Sequence, residues 1–538
     1  MSYSRAIHSL ALILTFAGFA CAGSKGVTSV ASAGTTIRAA AGDDLPTQSS
    51  EQAVQSFTAV EGTDLMSKLE AAHAKGRTRQ TPYWSAYSFD VRPGVAVDVS
   101  IREFHGTMNT MGDTSVLIGS TAGGVTLETR NLAVFLLRDP SVNQITRMEI
   151  YNLERKREYS GYPVYWLGRA NNEESLNYLR ALAAAAPLDM LSERAVLGIA
   201  LHDDSRVGGM LRGFVASSPN QKIRSSSIYW LGQVGGELAF LTSLVRSDAE
   251  DTKLRRQAAH AIGQSHDRGT MAALQGLYDT VKDQEVHQGV ISAAGNSDEG
   301  PTAYVFLLSV VKNDQDIESR RIAVRQLGHF ERDDAADELF KIYTNDTNSE
   351  VRRAALRAMA ETKSAKAQAR LSEVARADPN FEMRKQAIRL IGERGESAVD
   401  ELLKLYTAES NVEVKRLILQ SLSQIKSARV EDKLFEVARD GDGPELRRQA
   451  IRLLGERAGK RSFEFLSQTA QSSEGDVEVQ MQAVRAIAER KSEESVPLLI
   501  KIAKSHQNQA VRKQAIRSLG ETGDPRAVEF FREVLTKE

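Results

Sequence analysis

The chain has little of what most chemistry requires. It has one cysteine, Cys21, and that lies close to the N terminus. The remainder therefore has no disulfide framework, no thiol nucleophile and no cysteine-built metal site. The nine histidines are scattered, and none stands in an HxxxH, HExxH or His-Cys spacing that could hold a metal. No GxGxxG or P-loop cradles a phosphate, and no nucleophile motif marks a hydrolase. Aromatic residues are few, 6% of the chain, which suits a helical array. The formal net charge is -1, so the chain as a whole does not steer toward nucleic acid. The sequence implies no cofactor.

What is present is a twelve-residue stretch that keeps returning. It reads Met383-Arg-Lys-Gln-Ala-Ile-Arg-Leu-Ile-Gly-Glu-Arg394, and again from Leu446 to Arg457 and from Val511 to Thr522. Its first apolar residue is the anchor, offset 0. A small residue at offset 9 is expected to close the helix. That residue is Gly168, Ala200, Gly232, Gly263, Gly295, Gly328, Ala360, Gly392, Ser423, Gly455, Ala488 and Gly520, at steps of 31 to 33 residues. Twelve copies at a fixed period indicate a solenoid, in which each unit buries its apolar face on its neighbours. Asn or Asp three places before the anchor is placed to cap each helix, as at Asn348, Asn380, Asn411 and Asn508. Glu two places after that cap, as at Glu350, Glu382 and Glu413, suits the helix dipole. A second apolar stretch follows each copy, so the unit is helix, turn, helix.

Ahead of the repeats the chain changes character twice. Residues 1–22 read as an export signal: Arg5, a ten-residue apolar core at 10–19 too short to span a membrane, and a small-x-small cleavage pattern at Ala20-Cys21-Ala22. Two readings stay open, simple cleavage or a lipoprotein in which lipid on Cys21 tethers the chain to a membrane. Either places the protein outside the cytoplasm, in the periplasm, on the cell surface or secreted. Residues 23–55, rich in Ala, Gly, Ser and Thr, read as a flexible linker. Residues 56–155 read as a small β-rich domain with a leading helix near 64–74. Strands are expected near 83–91, 95–101, 115–118, 123–127, 132–137 and 145–150, mostly antiparallel. That domain is placed to cover the first repeat, and the solenoid then occupies 156–538.

The recurrent cap, anchor, Arg and small closing residue resemble the HEAT-repeat family, in the subtype known from phycobilisome lyases. The resemblance covers about residues 159–538. It implies an α solenoid of about twelve two-helix repeats, with the quoted helix lining the concave side, preceded by the small mainly β domain. Deoxyhypusine hydroxylases resemble this scaffold and hold iron through His-Glu dipeptides, of which this chain has none.

Apolar offsets 0, 4, 5, 7 and 8 share one side of the helix, so offsets 2, 3 and 6 point the other way. These are the candidate binding residues: Tyr165, Tyr229, Arg256, His260, Arg321, Arg325, Arg353, Arg357, Lys385, Arg389, Arg448, Arg452, Arg485 and Arg517. At offset 6 the run is aromatic and apolar early and arginine-rich later. Glu393, Glu456 and their equivalents lie four residues beyond the offset 6 arginines, where i,i+4 pairing merely solubilises the face. The offset 2 cations have no such acid in the sequence four places on, which leaves an expected positive surplus for carboxylate or phosphate. Trp166 and Trp230 at offset 7 are expected in the core. Arg at offset 1 is expected to pack its stem between repeats. The function that follows is a non-enzymatic scaffold binding an acidic segment of a protein partner. The alternatives are an enzyme or enzyme accessory, lyase-like or metal-dependent, and a binder of anionic envelope glycan or lipid.

Overall fold

The computed structural model describes residues 57–536 except 99–103, 112–113, 122–127, 142–143, 186–188, 331, 442 and 458. The leader with Cys21, the linker and the strand expected at 123–127 lie outside the described residues. The chain forms two compact units, 1–286 and 287–538.

The first unit holds the sheets. Strands β1 (Thr58–Ala59), β2 (Tyr83–Ser88), β3 (Val95–Val97), β4 (Phe104–Met111), β5 (Thr114–Thr121), β6 (Leu132–Asp139), β7 (Gln144–Asn152) and β8 (Val164–Arg169) make two of them. One is antiparallel, in the order β3-β5-β4. The other is mixed, in the order β1-β8-β2-β6-β7, with β8 parallel to both β1 and β2. The central strand β2 is buried on both sides, and its alternation sorts the contacts. Trp84 and Ala86 join Phe135, Tyr151 and Val164 in an aromatic core. On the other face Tyr83 reaches the helix Leu65–Arg79, where His73 Nδ1 lies 2.9 Å from its hydroxyl. A Cβ on Gly76 would overlap the Tyr83 ring, so this helix packs on the strand only with glycine there. The leading helix runs longer than expected, and its Met66 faces solvent.

Strand β8 corrects the first repeat. Tyr165-Trp-Leu-Gly168 and Tyr229-Trp-Leu-Gly232 are the same tetrapeptide, yet the first is a strand and the second lies in the helix Gln221–Val234. Pro163 decides it. A helix closing at Gly168 would place Pro163 in its interior, without an N–H and against the preceding turn. The residue before proline also prefers extended backbone. The sheet accordingly reaches Arg169, and the helical pairs begin at Asn172, not near 156.

Eleven pairs of helices follow among the described residues, from Asn172–Ala185 with Asp189–Ala200 to Ser492–Ser505 with Gln509–Thr522, and then the helix Pro525–Thr536. The first repeated helix, Asp189–Ala200, lies against β7, so the sheet does cover the first pair. There the fully buried Arg194 donates to Glu149 at 2.5 Å, and Arg147 Nε donates to the same carboxylate at 2.7 Å.

Caps and anchors behave as the sequence implies. Asn348, Asn380 and Asn411 each accept from two backbone N–H groups of their helix, and every anchor from Leu191 to Val511 that is apolar is buried. The offset 1 arginines tie units together. Nε of Arg224, Arg320 and Arg384 donates to the last-turn carbonyls of Val215, Val311 and Ala375 in the connecting helix before them. Their outer nitrogens pair with Glu250, Asp346 and Glu409, which precede the next repeated helix.

The glycines at offset 9 stand at or near the ends of their helices, as expected, and have a second task. Gly328 has φ -64, and Gly392 and Gly455 are the last residues of their helices with right-handed backbone beyond them, so none is a left-handed cap. They admit the next repeated helix. A Cβ on Gly232 would lie 2.5 Å from the Ala261 carbonyl oxygen, on Gly328 2.9 Å from Ala358 Cβ, and on Gly455 2.7 Å from Ala486 Cβ. Each contact is offset 9 against offset 7 of the following copy. Gly520, in the last repeated helix, has nothing within 4 Å.

These two glycines make a matched test. Gly455→Ala should destabilise the second unit by about 1–3 kcal/mol, because an interior that is already filled must shift. Gly520→Ala should stabilise it by about 0.5–1 kcal/mol, because alanine is the better helix former and meets nothing. Urea unfolding followed by circular dichroism reads both, and equal effects at the two sites would contradict this role.

Candidate functional site: the exposed face of the repeated helices

With the anchors inward, the exposed stripe of each repeated helix carries offsets -1, 2, 6 and 10. At 100° and 1.5 Å per residue these lie within about 80° of one another and succeed each other along the helix at about 4.5, 6 and 6 Å. Their types recur from copy to copy in the second unit. Offset -1 is Glu (Glu318, Glu350, Glu382, Glu413, Glu445, Glu478). Offset 2 is Arg or Lys except at Met481, offset 6 is Arg except at Gln420, and offset 10 is mostly Glu (Glu361, Glu393, Glu456, Glu489, Glu521). Because consecutive repeated helices pack side by side, the four positions become four rows crossing the helices: acidic, basic, basic, acidic.

Three of these helices, Val412–Ser423, Pro444–Gly455 and Val477–Ala488, enclose an open depression of about 530 Å³. It is lined by Arg416, Arg448, Arg452 and Arg485, by Gln449 and Gln482, and by Glu413, Glu445 and Glu478. Arg448, Arg452 and Arg485 are thus brought together as the sequence placed them. Four arginines against three glutamates leave one positive charge there.

The ion pairs reverse part of the expectation. The offset 2 cations do have a built-in acid, three residues before them. Arg321 meets Glu318 at 2.5 Å, Arg353 meets Glu350 at 2.6 Å, Arg416 meets Glu413 at 2.9 Å and Lys385 meets Glu382 at 4.0 Å. The glutamates read as dipole caps are therefore also counter-charges, a signal present in the i,i+3 spacing. At offset 6, Arg389 pairs with Glu393 at 3.8 Å and Arg452 with Glu456. Arg485 meets the amide oxygens of Gln482 and Gln514, each at 3.4 Å, and no carboxylate among the described residues. Arg325, Arg357 and Arg517 are exposed with no ion pair among the described residues. The face is nearly balanced, twelve basic against eleven acidic groups over these rows, rather than surplus positive. What distinguishes it is the order of the rows, and the offset 6 row is the less neutralised of the two basic ones.

In the first unit, Tyr165 is not on this face. It is 3% exposed in β8, with its ring 5.4 Å from that of Tyr83. Trp166, expected in the core, is partly buried beside the aromatic cluster. Trp230 is buried as expected, and Tyr229 is half-buried with its ring edge-on to Trp230 at 5.0 Å. Arg256 is exposed and reaches Glu285 at 3.3 Å. His260 is half-buried, and its pKa is lowered first by burial and then by Arg256.

A Ser–His contact is also present in this unit. Ser175 Oγ lies 2.8 Å from His202 Nε2 and 3.2 Å from the Tyr87 hydroxyl, while His202 Nδ1 faces the Gly198 carbonyl oxygen at 2.7 Å. The imidazole stacks on Phe89 at 4.2 Å, and burial holds its pKa down to about 4. Ser175 is 0% exposed, so its hydroxyl meets no substrate; the trio joins sheet to helices. Among the described residues no group of three or more His, Cys, Asp or Glu is placed to hold a metal ion, and no helix is long and apolar enough to cross a membrane.

The family model for HEAT repeats matches residues 304–392, 369–455, 399–477 and 463–538. No curated protein matches the sequence. Solved structures similar to the chain include Kap121p, at 13% identity and TM-score 0.33, covering 68% of this chain and 47% of that one. Importin beta is similar at 12% identity and TM-score 0.29, covering 65% and 57%. The CpcE and CpcF complex of phycocyanin lyase from Nostoc sp. PCC7120 is similar at 16% identity and TM-score 0.21, covering 43% and 92%. The chain spans about half the length of the Kap121p chain it matches.

Proposed function

We propose that this chain, whose residues 304–538 are HEAT repeats, is a non-enzymatic scaffold that binds an extended acidic segment of a protein partner along the exposed face of its repeated helices. The order of the rows carries the reading. Two basic rows about 6 Å apart form a track, and acidic rows border it on both sides. An extended polypeptide fits that width. A broad polyanion such as duplex nucleic acid would press its phosphates on the acidic borders, and like charges in contact oppose it. The arginine fork suits carboxylates, and the half-buried Gln449 and Gln482 amides between the basic rows can bond to peptide groups. Single exposed contacts are weak and screened by salt, so affinity comes from the row.

Export goes with this proposal, through the signal-like residues 1–22. Mass spectrometry of the native protein is the check: a mature chain starting near Gly23, or lipid on Cys21, supports it, and an intact leader on the mature protein contradicts it.

The track is tested with a fluorescein-labelled oligoglutamate peptide, titrated at two ionic strengths. Wild type should bind with an affinity that falls as salt rises. Arg389→Glu with Arg452→Glu should weaken binding by about tenfold or more, about 1.4 kcal/mol, since each reversal removes an attraction and adds a repulsion. Helicity should be unchanged, because both side chains face away from the core. Unchanged affinity and salt slope in a folded double variant would leave the row a solvated face.

A further inference from the structure

The last helix of the second unit exposes what every interior repeat buries. Positions 32 residues apart are equivalent in successive repeats, as the closing residues Ala488 and Gly520 show. Val484 in the repeated helix Val477–Ala488 is 0% exposed; its equivalent Ile516 is 41% exposed. Val496 and Ile502 in the helix Ser492–Ser505 are buried. Their equivalents in the helix Pro525–Thr536, Val528 and Val534, are about half exposed, and Leu535, equivalent to the buried Ala503, is 81% exposed. Phe531 is half-buried where Leu499 is fully buried. Val528, Phe531 and Leu535 follow i, i+3, i+7 and so form one stripe of that helix. Gly520 beside it opens on empty space, whereas Gly455 meets the next repeat. This is a repeat-on-repeat surface with no repeat on it among the described residues.

We infer that this surface is the contact through which two copies of the chain associate, end face to end face. Three observations favour a second copy. The equivalent interior surfaces are each covered by aliphatic helix surface of the kind this face itself presents, so the face is chemically suited to its own duplicate. The first repeated helix, Asp189–Ala200, is covered by β7, so among the described residues that end offers no matching open face of this helix for a head-to-tail chain of copies. The pairing is then isologous, the same patch from both partners, and closes at two. The rim is self-complementary as well: Arg532 and Glu529 are exposed beside the stripe and have no ion pair among the described residues, so an antiparallel dyad can offer each the other's opposite charge. Clustered exposed apolar side chains of this kind mark association surfaces.

Sedimentation velocity of the full chain over a range of concentrations tests the proposal. Wild type should sediment as a monomer–dimer system, and Val528→Lys with Leu535→Lys should remain monomeric with unchanged circular dichroism. A wild type that stays monomeric throughout overturns the proposal, and so does a double variant that still dimerises. If the double variant loses helicity, hydrogen exchange of the wild type decides. Protection of residues 525–536 should rise with protein concentration, and concentration-independent exchange there overturns the proposal. Species larger than dimers would also overturn it, because an isologous contact closes at two.

Discussion

Everything in the second unit rests on how closely one repeated helix can approach the next. A small residue at offset 9 lies against offset 7 of the following copy, with no room for a further carbon at Gly328 or Gly455. Where the following copy carries leucine at offset 7, the two repeated helices meet less closely. Ala360 and Ser423 take the small position where the following copies carry Leu390 and Leu453 at offset 7. This fixes the rotation of each helix about its axis as well as its distance, because only one side can come so near. The anchors and the offset 1 arginines then lock the register, the latter by bonding the carbonyl ends of one helix and the carboxylate that precedes the next.

The surface chemistry follows from that register. Since every copy is held at the same rotation, residue types repeated at one offset become rows, and rows of opposite sign do not mix. A sequence with no net charge of consequence thereby presents two adjacent basic rows between acidic ones. Individually the surface pairs contribute little. Their positions matter more than their energies, because they set which chain conformation and which charge pattern can lie across the helices.

Much of this was legible in the sequence, for physical reasons that differ by element. Period, caps and anchors are local features, and Asn348, Asn380 and the buried Ile388 sit where their spacing put them. The offset 6 row was legible because a helix wheel needs only the helix. The first repeat was misplaced because Tyr-Trp-Leu-Gly has no fixed preference, and the deciding residue, Pro163, lies outside the tetrapeptide. The reason for the glycines was not legible, since closing a helix and admitting a neighbour require the same residue. The counter-charges at offset -1 were overlooked because a glutamate in a first turn already has an explanation in the helix dipole. In the sheet region, β4 and the parallel pairing of β8 with β2 depend on partners distant in sequence, which alternation alone does not identify.

The central claim is that each repeat is held by its immediate neighbours and not by one common core. Hydrogen exchange on Ile388→Ala tests it most directly. Ile388 is buried at offset 5 of the helix Phe381–Gly392, and its truncation should cost about 2–5 kcal/mol at that place. The account predicts that protection falls in residues 333–423, the truncated repeat and those packed on it, while the helices Thr252–Gly263 and Gln509–Thr522 keep theirs. A uniform loss of protection through all the repeats would contradict it.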